Sequence, residues 1–433
     1  MLREFALGFG DREIKISLPP EQIINIVEGK PVAAITDVPA AVIAALSNPI
    51  GSPPLQTVIK SGDKVAIIAS DITRQWVRHD QFLPTLLNEL NAVGIPDRDI
   101  KLIVALGAHR HHTAAENILV YGQEVVSRIQ IAQSHAPAKE DFVYVGKTSR
   151  GVETYLNKHA VAADKVILTG GIVYHLMAGF GGGRKAIIPG ISGYATIQGN
   201  HSFCLHDVVG QGISPRCGAG KLDCNNMHED MTEMAAMLNP AFLLNAVFTP
   251  EGKFARFVAG HWQTAWLEGC RTVESIFGVP VNSQADLVIA SAGGFPKDIN
   301  LYQGAKAIDN AFAAAKENGV IILLLECRDI MEPPDFSGWF NYESLRDREI
   351  ALRQGFTVPG FVALKCGLTA KKLPLIAVTL PENKAFLKKA GMIAVTTAEE
   401  ALTIAAEKLG RKNYTITVMP HAANTVPLVQ TNA

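Results

Sequence analysis

Short runs of apolar residues recur along the chain without the alternation that a half-exposed strand would show. They are Lys64–Ser70 (KVAIIAS), Lys101–Leu106 (KLIVAL), Lys165–Gly170 (KVILTG), Asp286–Ser291 (DLVIAS), Val320–Leu325 (VIILLL), Pro374–Thr379 (PLIAVT), Met392–Thr396 (MIAVT) and Tyr414–Met419 (YTITVM). Apolar on both faces and rich in valine and isoleucine, they suit buried parallel strands. Amphipathic segments of helical length lie between them, over Phe82–Val93, His228–Leu238, Gln263–Ile276, Gln303–Asn318 and Ala398–Leu409. This order predicts an α/β fold with mostly parallel sheets flanked by helices. A boundary near Gly278–Gln284 (GVPVNSQ), after which the alternation is regular, divides the chain into domains 1–277 and 278–433. The glycine-rich, aperiodic Gly210–Asn226 is expected to be a long loop of the functional kind.

Composition narrows the class. A chain of 433 residues, 48% hydrophobic and 19% charged, is ordinary globular material that can bury a core without metal or disulfide staples. A net charge of -1 offers no bulk attraction to nucleic acid or a membrane surface. The six cysteines are scattered and form no C-x-x-C clip, which points to a reducing compartment. Charges interrupt the N-terminal region where a signal peptide would be apolar, and no run of about 18 apolar residues occurs. A soluble cytoplasmic protein is expected.

Candidate chemistry gathers where strands end, which is where sites form in open parallel sheets. KVAIIAS runs into Asp71, Thr73 and Arg74. KLIVALGA runs into His109 and Arg110. KVILTGGIVY runs into His175 and the loop GFGGGRK, and DLVIASAGGFPKD runs into Tyr302, Gln303 and Lys306. Convergence on a cleft between two domains is the expectation. In the loop, Gly181, Gly182 and Gly183 allow close backbone approach to a phosphate, and Arg184 and Lys185 add charge. A Walker A loop is excluded, because arginine stands where its second glycine belongs and Ala186 follows the lysine. The dinucleotide fingerprint fails as well. A mobile surface loop remains the plain alternative, and Lys185 can also serve as a covalent tether.

His109, His175 and His201 are the imidazoles nearest these features. A histidine pair flanking a substrate can exchange donor and acceptor roles, and imidazole also binds nickel, copper or zinc. His111 and His112 read as helix-start or surface residues. Cys217, Cys224 and His228 lack the tight spacing of structural zinc, so buried thiols are the simpler reading. Glu229, Asp230 and Glu233 read as a solvated or capping face.

Taken together, the blocks DITR (Asp71–Arg74), GAHR (Gly107–Arg110), YHLMAGFGGGRKAIIPG (Tyr174–Gly190), GNHS (Gly199–Ser202), NNMHEDMTE (Asn225–Glu233) and GGFPKDINLYQGAKA (Gly293–Ala307) resemble the nickel-dependent lactate racemase family, the nickel-pincer-nucleotide enzymes. The resemblance implies a racemase or epimerase that inverts the C2 carbon of a 2-hydroxy acid by reversible hydride transfer to the cofactor. That cofactor is nickel in a pyridinium-3-thioamide-5-thiocarboxylic acid mononucleotide, tethered at Lys185, with His201 as the protein's nickel ligand and Gly181, Gly182, Gly183 and Arg184 around it. His109 and His175 are implied as the two acid/base groups, and Asp71 and Arg74 as residues that orient the substrate. Tyr302, Gln303 and Lys306 are implied as its carboxylate grip. Cofactor biosynthesis and insertion proteins are implied partners, and a homo-oligomer is left open.

Departures from the family pattern fall on the expected substrate side. Gln75 and Trp76 follow D-x-T-R, with Arg78 close behind, and Leu106 precedes G-x-H-R. An added Trp and Arg would favour a larger or more polar 2-hydroxy acid than lactate. Two other readings stay open at this point. One is a zinc-dependent hydrolase using His109, His175 and His201, and the other is a non-catalytic nucleotide-binding homologue.

Overall fold

The structure, a computed structural model, describes residues 2–430. It is α/β, as the hydrophobic pattern predicts, and divides into two units. The chain crosses between them after Lys30, Cys204, Ser214 and Glu274. The last crossing lies close to the expected boundary at 278. The division nonetheless differs from a simple split, because the segment through Lys30 and the excursion Leu205–Ser214 both belong with the C-terminal unit.

The unit formed by Pro31–Cys204 and Pro215–Glu274 is built on a six-stranded sheet. Its strands lie in the order Phe254–Gly260, Phe242–Phe248, Lys165–Gly171, Val65–Ser70, Ile100–Gly107 and Gln130–His135. All neighbours are parallel except the first pair, which forms an antiparallel edge. Val65–Ala69 is buried throughout, as a strand covered on both faces requires. The chain runs outward in one direction from Val65–Ser70 through Ile100–Gly107, then returns to add Lys165–Gly171 on the other side. That reversal puts a topological switch point between Val65–Ser70 and Lys165–Gly171, where ligands bind in such sheets.

The second unit holds another six-stranded sheet, in the order Ile393–Val395, Leu375–Val378, Ala315–Leu324, Ala285–Ser291, Ile416–Met419 and Ile23–Ile26, with every neighbour parallel. A hairpin of Arg3–Phe9 and Arg12–Leu18 buries Leu7, Phe9, Ile16 and Leu18 in the same core as Leu287, Ile289 and Ile322. Helix Leu301–Ala314 follows Ala285–Ser291 and ends four residues short of the expected Asn318, because Ala315 already starts the next strand. No helix among the described residues is long and apolar enough to cross a membrane.

Candidate active site

Asp71, His109 and His175 leave the carboxyl ends of three adjacent strands, Val65–Ser70, Ile100–Gly107 and Lys165–Gly171. Asp71 is buried at 3% exposure, and its carboxylate accepts from the Thr73 hydroxyl at 2.6 Å and from His109 Nδ1 at 2.5 Å. Burial alone would raise the carboxyl pKa. The His109 imidazole, the Thr73 hydroxyl and the Arg74 charge outweigh that and hold it below the usual carboxylate range. Because the carboxylate is ionised, the His109 proton sits on Nδ1, which leaves Nε2 to take up or deliver a proton. The His109 ring is half exposed, so that nitrogen is accessible.

His175 is built differently. It lies in a small sheet in which Tyr174–His175 pairs with Ala178–Phe180, and the third strand, Gly218–Ala219, comes out of the expected long loop. Its Nδ1 accepts the backbone N–H groups of Met177 and Ala178, each at 3.2 Å. The neutral ring therefore carries its proton on Nε2. Burial, then the charges of Lys185, Arg74, His201 and Arg184, push its pKa well below the ordinary histidine value. The two histidines are thus held differently. One is an imidazole backed by a carboxylate, and the other is a neutral N–H donor.

The same charges show what the fold brings together. Arg74 acts electrostatically on Asp71, His175 and Lys185, so one site contains all of them. Lys185 retains some exposure, yet its amine is surrounded by protein. Burial, followed by Arg184 and Arg74, lowers its pKa to about 7. His201 closes helix Tyr194–His201, where Nδ1–H donates to Ile197 O at 3.1 Å and the lone pair falls on Nε2. Burial and Lys185 lower its pKa to about 3, so it is neutral, the state a metal ligand requires. A partly buried amine on the glycine loop and a neutral imidazole whose proton is on Nδ1 are donor chemistry that fits a group tethered at Lys185 and ligated at His201.

The glycine loop is not a flexible surface feature. Gly181, Gly183 and Arg184 are buried. Gly183 N–H donates to Asn245 Oδ1 at 2.8 Å, and Trp266 Nε1–H donates to Gly181 O at 2.9 Å. A Cβ on Gly182 would sit 2.7 Å from Asn245 Oδ1, and one on Gly183 would sit 2.6 Å from the Trp266 ring. Arg184 lies 3.9 Å over that ring and donates to Ala178 O, Phe180 O and His228 Nδ1. Its guanidinium is thereby engaged in locking the loop, although burial lowers its pKa to about 9.

Several residues acquire roles that the sequence reading did not give them. His112 is buried at 6% exposure and is not a surface residue. Asp230 is fully buried and accepts from Asn200 Nδ2 at 2.9 Å, bracing the turn beside His201, so it belongs to no solvated face. Glu229 pairs with Arg150, and Glu233 accepts from Ser149 N and Oγ. Cys217 is buried and Cys224 exposed, and no three His, Cys, Asp or Glu side chains among the described residues are arranged to hold a metal ion. Arg78 makes a bidentate pair with Asp80 at 3.0 and 2.9 Å, which accounts for its charge without a substrate. Trp76 stays 39% exposed, edge-on to Phe248 at 5.2 Å. One signal was available: Asn245 is the lone polar residue in FLLNAVF. Nothing local marked Trp266.

In the C-terminal unit, Tyr302, Gln303 and Lys306 share the first turns of helix Leu301–Ala314. Asn300 caps that helix through Gln303 N at 2.9 Å, and Lys306 Nζ donates to Gln303 Oε1 at 3.4 Å.

Candidate proton-handling side chains gathered at the carboxyl edge of a parallel sheet give the chain the layout of an α/β enzyme. The family model for the lactate racemase N-terminal domain matches residues 9–212, and that for the lactate racemase C-terminal domain matches residues 281–426. The chain belongs to the lactate racemase family. It is 32% identical to the lactate racemase of Thermoanaerobacterium thermosaccharolyticum, covering 97% of this chain and 98% of that protein. It is 36% identical to the lactate racemase of Lactiplantibacillus plantarum over 66% of this chain and 65% of that protein. The solved lactate racemase apoprotein from T. thermosaccharolyticum aligns with a TM-score of 0.88 at 30% identity, covering 98% of this chain and 100% of that one. A Thermotoga maritima protein of solved structure, 16% identical, shares the fold at a TM-score of 0.63, covering 93% of this chain and 100% of that one.

Proposed function

We propose that the protein racemises or epimerises a 2-hydroxy acid, lactate or a larger relative, using a nickel-pincer nucleotide attached at Lys185. Family membership supports the reaction class. Within the chain, the reading is carried by the buried glycine loop that holds the partly buried Lys185, and by His201 at the end of its helix with Nδ1–H donating to Ile197 O. A zinc hydrolase needs three donors from the protein. A metal that arrives with its own organic donors needs only His201, which suits a chain in which no three such side chains gather among the described residues.

When bound, the group supplies nickel and a hydride acceptor. The chain supplies the rest. His109, steadied at Nδ1 by Asp71, takes the substrate hydroxyl proton at Nε2 and returns it. His175 serves the opposite enantiomer. For it to accept a proton at Nε2, the proton already there must first leave to solvent and Nδ1 must take one up, which ends the two backbone hydrogen bonds at Nδ1. Arg74 orients the substrate, and Tyr302, Gln303 and Lys306 hold its carboxylate, where an ammonium is worth more than in water. Proteins that build and insert the cofactor are the proposed partners, and the cytoplasm is the proposed compartment.

The test is production beside a nickel-pincer biosynthesis set, followed by metal content, denatured intact mass and chiral analysis of lactate, with Lys185→Ala in parallel. Nickel and an added mass that both vanish in the variant, together with racemisation by the parent, are expected. Absence of both in a host proven to load a known family member overturns the proposal.

A further inference from the structure

The turn that carries Asp71 is pinned on both sides of the carboxylate, and both pins come from one place. On the preceding side, the buried Tyr121 hydroxyl donates to Ser70 O at 2.9 Å. On the following side, Ile72 N–H donates to His112 Nε2 at 2.7 Å. The two rings stack, with centroids 6.2 Å apart and planes at 29°. Since Nε2 accepts, the His112 proton is on Nδ1, which lies 3.0 Å from Asn117 Oδ1. Gln133 fixes the His112 backbone from the neighbouring strand. Its Oε1 accepts from His112 N at 2.7 Å, and its Nε2 donates to His112 O at 3.1 Å. Every polar atom of His112 is therefore spoken for, and the Ile72 amide depends on it.

We propose that His112 is a positioning residue for the acid–base pair. Through the Ile72 amide it fixes the peptide on the carboxyl side of Asp71, and so the direction in which Asp71 meets His109. His112 also sits three residues beyond His109 on the same loop. One short segment thus carries the proton-transfer imidazole and the imidazole that aligns its carboxylate. An unpartnered Ile72 N–H in this part-buried setting would draw the turn toward another acceptor. A displacement of Asp71 by about 1 Å is enough to misalign His109.

The inference rests on the reading of Asp71 and His109 as the acid–base pair, and the experiment separates the two. His112→Phe keeps the volume and the stack on Tyr121 but removes the acceptor, while His112→Gln restores an acceptor near the position of Nε2. In the loaded enzyme, His112→Phe is expected to lower kcat about 100-fold with KM changed less than about twofold. His112→Gln is expected to recover to within about fivefold of the parent, since it again accepts from Ile72. In an Asp71→Ala background, His112→Phe is expected to cost less than about threefold, because the partner it aligns has gone. In the unloaded full-length protein, the Ile72 amide, followed by NMR hydrogen exchange, should be protected in the parent and in His112→Gln and exposed in His112→Phe. Equal exchange in all three, or the same fold-loss with and without Asp71, overturns the proposal. A loaded parent that does not racemise, with Ile72 behaving as expected, leaves the clamp standing and removes the racemase reading instead.

Discussion

Gly183→Ala tests how tightly the glycine loop is held. Gly183 has φ of 51°, in the left-handed region, where a side chain costs about 1–2 kcal/mol. The new methyl group would stand 2.6 Å from both Cγ and Cδ1 of Trp266. That ring cannot retreat easily, because it is 1% exposed, bonded to Gly181 O and covered by Arg184. Overpacking against a fixed neighbour adds about 1–3 kcal/mol, for a total of roughly 2–5 kcal/mol. In a unit of this size the thermal midpoint should fall by roughly 5–15 °C. Gly181→Ala is the matched control. Gly181 lacks a positive φ, and the nearest atoms to its added Cβ are at 3.6 Å, an ordinary contact, so its effect should stay within about 0.5 kcal/mol. Thermal melts of parent and both variants decide the matter. Equal midpoints for the two alanine variants would refute the argument that packing against Trp266, and not chain flexibility, requires glycine at 183.

Other consequences can be measured directly. Amine-selective labelling of Lys185 should reach half its limiting rate near pH 7, whereas an exposed lysine does so near about 10.4. Labelling of Lys185 that begins only above about pH 9 would contradict the buried cationic setting. The same depression fixes a sign: between pH 7 and the ordinary lysine value the unfolded chain binds more protons, so this group makes stability rise with pH across that window. Trp76→Ala should lower the turnover of malate or sugar acids relative to lactate, and an unchanged ratio with lactate still preferred would sink the size argument. Arg78→Ala should leave those ratios alone and cost no more than about 1 kcal/mol, because its partner is Asp80 at the surface. A changed substrate preference in that variant would return Arg78 to the substrate side.

The strands that carry the site were legible because they are buried on both faces. KVAIIAS, KLIVAL and KVILTG contain almost nothing but core, and the polar residues after them stand out for that reason. His112 does stand at a helix start, but its surface reading failed because the string HRHHT looks polar, and only the fold shows that the third histidine turns inward beneath Tyr121. Asp230 was misread because an acidic triplet on a helix usually faces water, whereas one member here meets Asn200. The domain division escaped for a topological reason. Phe5, Leu7 and Phe9 alternate, as do Ile14, Ile16 and Leu18, and this marks a hairpin, but local pattern cannot say which distant sheet the hairpin covers. The settings of His109 and His175 differ through backbone donors at Met177 and Ala178, which residue identity does not encode.

The edge strand Ile23–Ile26 pairs with Ile416–Met419, and the hairpin before it packs on strands made after residue 284. During synthesis, the first thirty residues therefore leave the ribosome long before their partners exist. The sheet carrying Asp71, His109 and His175 is finished at Gly260, so it can close while that leading segment still waits. The waiting segment exposes Phe5, Leu7, Phe9, Ile14, Ile16 and Leu18, the kind of surface that chaperones hold. Loss of the final strands would thus strand the beginning of the chain as well as its end.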